Sequence, residues 1–355
     1  MTPIPQGIFP AILFQSAPAP ATDGIMKPMK ENGYADSGAD VGFALQQAGL
    51  KMVCPVAEPH ISIDREWVFP DNAAGISHAL NKGANVIWLN TVLYKDHPIE
   101  DFLRKGVAVV GQDPRSVQQF DDKWLTSEML QSAGIPVPAK TKLFAGGPAA
   151  APFSFPFVVK PIRGRGSQGV YLVRNQEQFE QTLGTLFAGG LYGSAVYAEP
   201  FLSGEEITVT VMPPGTYYIF DEEVTKADHW CLTAVKRFNH QDGVAPYNGV
   251  VPIVENSRVI SAREQESNAI QTVYGHCAKA AALTNARAPV RIDCRQDEAG
   301  TYQLFDLNMK PNMTGPSRPH RYDQDSLVAL AAADLGWNYT DLLINILNQH
   351  WRKGE

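Results

Sequence analysis

Residues 290 to 309 alternate apolar side chains with charged or amide ones on both sides of the polar cluster Asp297-Glu298-Ala299-Gly300. A period of two is a strand signal that a helix cannot satisfy, and a Gly-containing cluster between two such runs marks an antiparallel hairpin. Within each strand, Arg291 shares a face with Asp293, and Asp306 with Asn308. If Ala299-Gly300 is a two-residue turn, Asp293 lies opposite Asp306; a four-residue loop sets Arg291 opposite Asp306, and all four still share one face. Val290, Ile292, Cys294, Phe305 and Leu307 are then left to face a core. Two carboxylates and an amide oxygen converging from adjacent strands are hard oxygen ligands that suit magnesium, an ion usually completed by water and substrate phosphates. The competing reading is an exposed hairpin whose acids pair with Arg291.

A second segment bears on the same chemistry. Gly164-Arg165-Gly166-Ser167-Gln168-Gly169 satisfies G-x-G-x-x-G, a pattern found in dinucleotide sites and in kinases. A dinucleotide site needs a helix opening at the third glycine, whereas Val170-Tyr171-Leu172-Val173 reads as a strand. Strand, glycine loop, strand is a flap able to lie over a nucleotide's phosphates and donate backbone N–H groups. Lys160, at the end of the incoming strand, adds a point positive charge. In a protein kinase the lysine follows the flap, and neither H-R-D, D-F-G nor G-x-x-x-x-G-K-[ST] occurs in this chain. The alternative is a glycine-rich surface hairpin without a ligand.

Three regions are expected. In the first, Ala11–Phe14, Lys51–Pro55, Val86–Asn90 and Val107–Val110 read as strands separated by helical patterns around Ala39–Ala48, Ala73–Leu80 and Ile99–Lys105, which implies a parallel sheet between helices. A helix from about Ser116 to Ala133 follows, stopped by Gly134, Pro136 and Pro138. Strands at Phe157–Lys160, Val170–Val173, Val196–Glu199 and Ile207–Met212 form a small antiparallel sheet carrying one helix, with Asn175 and Gln178 spaced as a capping box. The third region holds strands at Tyr217–Phe220 and Trp230–Val235, a helix over Arg263–Leu283, the 290–309 hairpin, and a helical stretch Ser326–Leu347 broken near Gly336. The domains expected are residues 1–118, 119–212 and 213–355, an α/β unit followed by α+β units.

The chain has 355 residues, enough for several cores, and its 19% charged content excludes a disordered chain or a coiled coil. A net charge of -7 with no Lys/Arg run argues against nucleic acid as partner. No apolar stretch reaches the ~18 residues of a membrane span. The opening segment lacks a basic stretch and is interrupted by Pro10, and Cys54, Cys231, Cys277 and Cys294 show no C-x-x-C spacing. Buried reduced thiols in a cytoplasmic protein are expected.

Taken in order, these segments resemble the ATP-grasp superfamily and, within it, the D-alanine:D-alanine ligase branch. The likeness rests on Asp122-Lys123 opening a helix, Phe157-Val158-Val159-Lys160-Pro161, the segment from Glu199 to Glu206, Arg291-Ile292-Asp293, Asp306 to Thr314, and Ser326-Leu327-Val328. It implies an ATP-grasp fold with an N-terminal parallel-sheet domain, a small central lid and a C-terminal antiparallel-sheet domain. By that resemblance Lys123 and Lys160 contact the ATP phosphates, while Gly164, Gly166, Ser167, Gln168 and Gly169 cover them. Glu199, Phe201 and Leu202 read the adenine and Glu206 binds the ribose. Asp293, Asp306 and Asn308 hold two magnesium ions, for which manganese is a substitute. Arg291, Ser167 and Lys236 are the catalytic candidates, Lys236 as a further phosphate-binding lysine. Ser326 and Leu327 hold the second substrate's carboxylate.

The chain also departs from that pattern. Asp306 stands where the family usually has Glu, Asn312 replaces a common glycine, Lys310 intrudes nearby, and Gln15 to Ser37 is a long Pro-rich loop without the family's acidic N-terminal motif. An apparent insertion, Gly315 to Asp325, brings Arg318, His320 and Arg321, which are expected to meet an anionic part of the acceptor. The function implied is an ATP-dependent carboxylate–amine ligase acting through an acyl phosphate on a small acid and an amine, with a homodimer as the assembly considered. The alternatives are D-alanine:D-alanine ligase proper and a non-catalytic nucleotide-binding protein of the same fold.

Overall fold

The computed structural model describes residues 2–164, 166–240, 243 and 253–354. The first region alternates strand and helix: β1 (Pro10–Phe14), α1 (Ala35–Gln47), β2 (Val68–Pro70), α2 (Ala73–Asn81), β3 (Val86–Trp88), α3 (Ile99–Arg104) and β4 (Ala108–Val110). The strands form a parallel sheet in the order β2-β1-β3-β4, as the alternation requires. One expected strand moves. Lys51–Pro55 is irregular, tied to β1 by a single bond from Val53 N to Pro10 O at 2.9 Å, and Val68–Pro70 takes the place beside β1. Pro55 has no N–H to continue a ladder, whereas Trp67, Val68 and Phe69 are all buried.

The sheet is covered on one face by α1 with the last two helices of the chain, Leu327–Ala333 and Tyr339–Leu347, and on the other by a core that includes Ile76, Ile99 and Phe102. Its β4 edge is closed by the C-terminal segment. Val109 and Trp351 exchange backbone hydrogen bonds of 2.9 Å each way, and the indole N–H of Trp351 donates to Gly111 O at 2.8 Å.

The expected helix over Ser116–Ala133 is two helices, α4 (Pro114–Phe120) and α5 (Lys123–Ser132). Asp122 is the reason. Its backbone is extended (φ -77°, ψ 103°) and its carboxylate accepts from Leu125 N at 2.8 Å, so it caps a new helix whose first residue is Lys123. The central unit then contains β5 (Thr141–Phe144), β6 (Phe157–Pro161), β7 (Tyr171–Val173), α6 (Gln176–Phe187) and β8 (Ala195–Pro200), with sheet order β5-β8-β6-β7. Asn175 caps α6, accepting from Gln178 N at 2.9 Å, while the Gln178 side chain reaches back to Arg174 N.

The third unit holds β9 (Glu206–Met212), β10 (Gly215–Ile219), β11 (Glu222–Lys226), β12 (Trp230–Cys231), β13 (Val235–Arg237), α7 (Ile253–Asn256), β14 (Ser257–Val259), α8 (Ala262–Gln265), α9 (Asn268–Leu283), β15 (Val290–Gln296), β16 (Tyr302–Asn308), α10 (Leu327–Ala333) and α11 (Tyr339–Leu347). Its main sheet runs β14-β13-β9-β15-β16, with β12 also on β9. The 207–212 strand therefore belongs here, and the central sheet ends at Pro200. Ile207, Val209 and Val211 are fully buried, packing with α9, so β9 lies inside this unit's core rather than on the small sheet.

Two features join the units. The Pro-rich loop after β1 crosses to the central unit. There Asp23 pairs with Arg163 at 3.3 Å, Lys27 pairs with Asp121, and Ile25 is buried beside Gly193. Its return is shaped by Gly33, which has φ +58° and whose carbonyl accepts from Gln15 N at 2.8 Å. A Cβ at Gly33 would lie 1.9 Å from Gln15 O. The second feature is a buried ion cluster. Arg318, fully buried, bonds Asp40 at 2.9 Å, Asp64 at 2.6 Å, and the carbonyls of Asp36 and Ile61. Arg321 bonds the same Asp40 at 3.0 Å. Among the described residues no helix is long and apolar enough to cross a membrane.

Candidate active site

The β15–β16 hairpin sets Asp293 opposite Asp306 and Arg291 opposite Asn308. It does so by neither of the two expected turns. Near the loop the register is Cys294 to Leu304 and Gln296 to Tyr302, and a β-bulge at Phe305 advances it by one before Asp306. Leu304 and Phe305 are consecutive apolar residues, so alternation cannot place both in the core. Leu304 is buried with α9, and Phe305 turns to the other face. The expectation that Phe305 faces the core is thereby corrected. A bulged residue leaves the ladder, and the Phe305 carbonyl instead accepts from Lys160 Nζ at 3.1 Å.

Lysines from two other segments converge on this point. Lys123, first in α5, is held by its own N–H to Ile162 O (3.0 Å) and ion-pairs with Asp306. Lys160, in β6 and only 4% exposed, also pairs with Glu199 Oε1 at 2.5 Å, and its ammonium lies 5.3 Å from the ring centre of Tyr197. Burial pushes the Asp306 carboxyl up, but the ammonium groups of Lys123 and Lys160, with the hydrogen bond from Lys123, outweigh it and hold the carboxyl below its usual value. For Glu199 burial wins, and its carboxyl is raised despite Lys160. Burial lowers Lys123, yet Asp306 more than reverses this and leaves its ammonium raised.

Asp293 accepts from Thr208 Oγ1 at 2.7 Å and from Arg291 Nη2 at 3.2 Å. The Asn308 side-chain oxygen accepts from Lys310 N at 2.9 Å. Glu206 pairs with His240 Nε2 at 2.8 Å and with Arg295 Nη1 at 3.4 Å, and Arg295 stacks 4.7 Å from the Phe201 ring centre, beside Leu202 in the segment after β8. Thr208, His240 and Arg295 escaped the sequence reading. Arg295 had a signal, standing two residues after Asp293 on the same face, and so did Thr208, two after Glu206.

The glycine segment joins β6 to β7, which pair antiparallel with Val159 opposite Tyr171, so it is a flap. Gly164, Gly166, Ser167, Gln168 and Gly169 are described and Arg165 is not. Ser167 and Gln168 are exposed, and the turn closes through Val170 N to Ser167 O at 3.2 Å. Gly169 has φ +74°, with Pro161 and Tyr192 2.8 Å from where a Cβ would stand.

Three expectations change. Lys236 lies opposite Ile207, on the face of the sheet turned toward α9, and reaches Glu205 and, at 4.0 Å, Glu264. Its neighbour Arg237 lies opposite Glu206 and takes the face shared with Thr208 and Asp293. Arg318 is committed to Asp40 and Asp64, and Arg321 to Asp40, Asp36 and Thr314, so their charge ties two units together instead of meeting an acceptor. His320 is exposed. Ser326 is fully buried and caps α10, accepting from Ala329 N at 3.2 Å, while Leu327 packs in the core beneath the parallel sheet.

Residues 129–348 match the family model described as D-ala D-ala ligase C-terminus. The chain belongs to the D-alanine–D-alanine ligase C-terminal family. It is an ATP-grasp protein and an ADP-forming ligase that makes C–N bonds. Within the family, the D-alanine--D-alanine ligase of Halorhodospira halophila is 26% identical over 232 residues, 65% of this chain and 67% of that one. D-alanine--D-alanine ligase B of Chromobacterium violaceum is 27% identical over 230 residues, 64% of this chain and 66% of that one. The fold is shared with D-alanine--D-alanine ligase from Bacillus anthracis complexed with ATP, at TM-score 0.66 and 16% identity over 97% of both chains.

Proposed function

We propose that this family member joins a small carboxylic acid or amino acid to an amine, through an acyl phosphate made from ATP. The observation that carries the reading is the meeting of Lys123, Lys160 and Asp306 from three separate segments at the bulge of β16. Phosphoryl transfer asks a protein for position and neutralised charge more than for covalent help. Lys123 and Lys160 bring the positive charge to the phosphates, and the flap from Gly164 to Gly169 lays its N–H groups over them. Glu199, Phe201 and Leu202 face the adenine, and Glu206, fixed by His240 and Arg295, takes the ribose hydroxyls.

Asp293, Asp306 and Asn308 present oxygen atoms from adjacent strands on one face, a donor set that fits magnesium. When bound there, two magnesium ions, or manganese, neutralise the phosphate oxygens. Thr208 and Arg291 hold the Asp293 carboxylate in place. The acid's oxygen attacks the γ-phosphorus and ADP leaves. The amine then attacks the acyl carbon, and phosphate leaves as the amide forms. Arg291, a planar fork of donors on the same face, stabilises the oxyanion of that second step. The closed flap keeps water from the acyl phosphate.

D-Alanine as both substrates is the second reading, favoured by the relatives' names. Phosphate release is the assay, with D-alanine alone set against a panel of acids and amines. Asp293→Asn is expected to lower turnover by a factor of about 100 or more. Unchanged turnover at saturating substrates would end the assignment. ATP binding with no acid or amine stimulating ADP release would instead favour a non-catalytic role.

A further inference from the structure

A cleft with about 50 Å³ of room for the centres of water-sized groups opens where the N-terminal sheet meets the end of the β15–β16 hairpin. It lies beyond the carboxyl ends of β3 and β4, the place where open parallel sheets receive ligands, beside the switch between β1 and β3. Its walls are hydrocarbon: Trp88, Leu93, Val110, Val117, Met309 and Met313. The polar side chains that touch it are mostly engaged. Gln112 donates to Ala288 O at 2.8 Å and accepts from Arg287 N at 2.9 Å, and Thr91 bonds Asp71. At the hairpin side stands Lys310, two residues past Asn308, whose ammonium lies 3.3 Å from Asn90 Oδ1.

An apolar lumen with a few polar groups at one side is the usual form of a small-molecule site. At ~10–15 Å³ for one water-sized group, the cleft holds several such groups, and a single methyl would forgo contacts that its walls can make. The positive charge of Lys310, next to the oxygen donors of the hairpin, favours a carboxylate there. We propose that the cleft receives the apolar side chain of the acid substrate, a leucine- or phenylalanine-sized group, with its carboxylate toward Lys310 and Asn308. The substrate class is then a carboxylic acid or amino acid with a bulky apolar side chain rather than alanine. The proposal rests on the ligase reading above.

The test is calorimetry on the full chain with magnesium, in two arms. A non-hydrolysable ATP analogue is titrated first. Then, with the analogue present, alanine, 2-aminobutyrate, valine, leucine and phenylalanine of both hands are titrated. Affinity is expected to rise roughly fourfold per added carbon up to leucine. Ala288→Leu and Val117→Phe, which fill the cleft from different walls, are expected to remove that rise and leave the analogue's affinity unchanged. Analogue binding with a flat or absent acid series overturns the cleft assignment alone, as does an undiminished leucine affinity in both folded variants. No binding of the analogue overturns the ligase reading and the proposal with it.

Discussion

Arg318→Ala tests whether the charge of the 315–325 segment serves stability or substrate. The side chain has no exposure and bonds Asp40, Asp64 and two carbonyls. Removing one partner of a buried ion pair costs ~3–5 kcal/mol, because the remaining charge is stranded in a medium that cannot solvate it. Here Asp40 keeps Arg321 at 3.0 Å and Thr314 Oγ1 at 2.7 Å, so its own loss is softened. The carbonyls of Asp36 and Ile61 lose their donor, at ~1–3 kcal/mol for each acceptor left dry. With the ion-pair loss softened to about 1 kcal/mol and each carbonyl at the low end of its range, the expected total is about 3 kcal/mol, a large part of the ~5–15 kcal/mol that holds a typical protein folded. With a slope near ~3 kcal/mol per M, the urea midpoint should fall by about 1 M. KM for acid and amine should stay within about twofold in the folded fraction. A midpoint moved by less than about 0.3 M, together with an amine KM raised tenfold, would refute the structural role and return Arg318 to the acceptor.

Two further outcomes follow from the geometry. The Asp306 carboxyl is held below its unfolded value, so its pairing with Lys123 contributes stability that is complete above about pH 4 and lost as pH falls through the lower native value. Urea melts of the parent and Asp306→Asn should therefore differ by a constant amount from pH 7 to 5 and draw together below 4, and a gap as wide at pH 3 as at pH 7 would contradict this. Gly33→Ala places a methyl 1.9 Å from Gln15 O on a backbone with positive φ, so it should cost at least ~2 kcal/mol in a urea melt, and a neutral effect would mean the loop returns by another path.

How much of this was written plainly in the chain depends on distance along it. The flap and the hairpin were legible because each is a local pattern, glycines at fixed offsets and a period of two. The bulge was not, since Leu304-Phe305 breaks the alternation at one position and only the packing of Leu304 against α9 decides which residue turns away. Lys236 and Arg237 are adjacent cations, and the one facing Asp293 is set by the register of β13 on β9, a pairing between segments well apart in sequence. The fate of Arg318 was hidden for the same reason, its partner Asp40 lying 278 residues away. Val68-Phe69-Pro70 shows that a strand of three residues is easily passed over in favour of a longer apolar run ending in Pro55.

The crossing loop after β1 has a mechanical consequence. Arg163 follows the β6 lysine strand directly and is gripped by Asp23 from that loop as well as by Asp121 and Asp122 from the entry to α5. Any swing of the central sheet away from the hairpin must therefore either snap these charge contacts or drag the Pro-rich segment with it, so the amino-terminal unit acts as a tether on the central sheet.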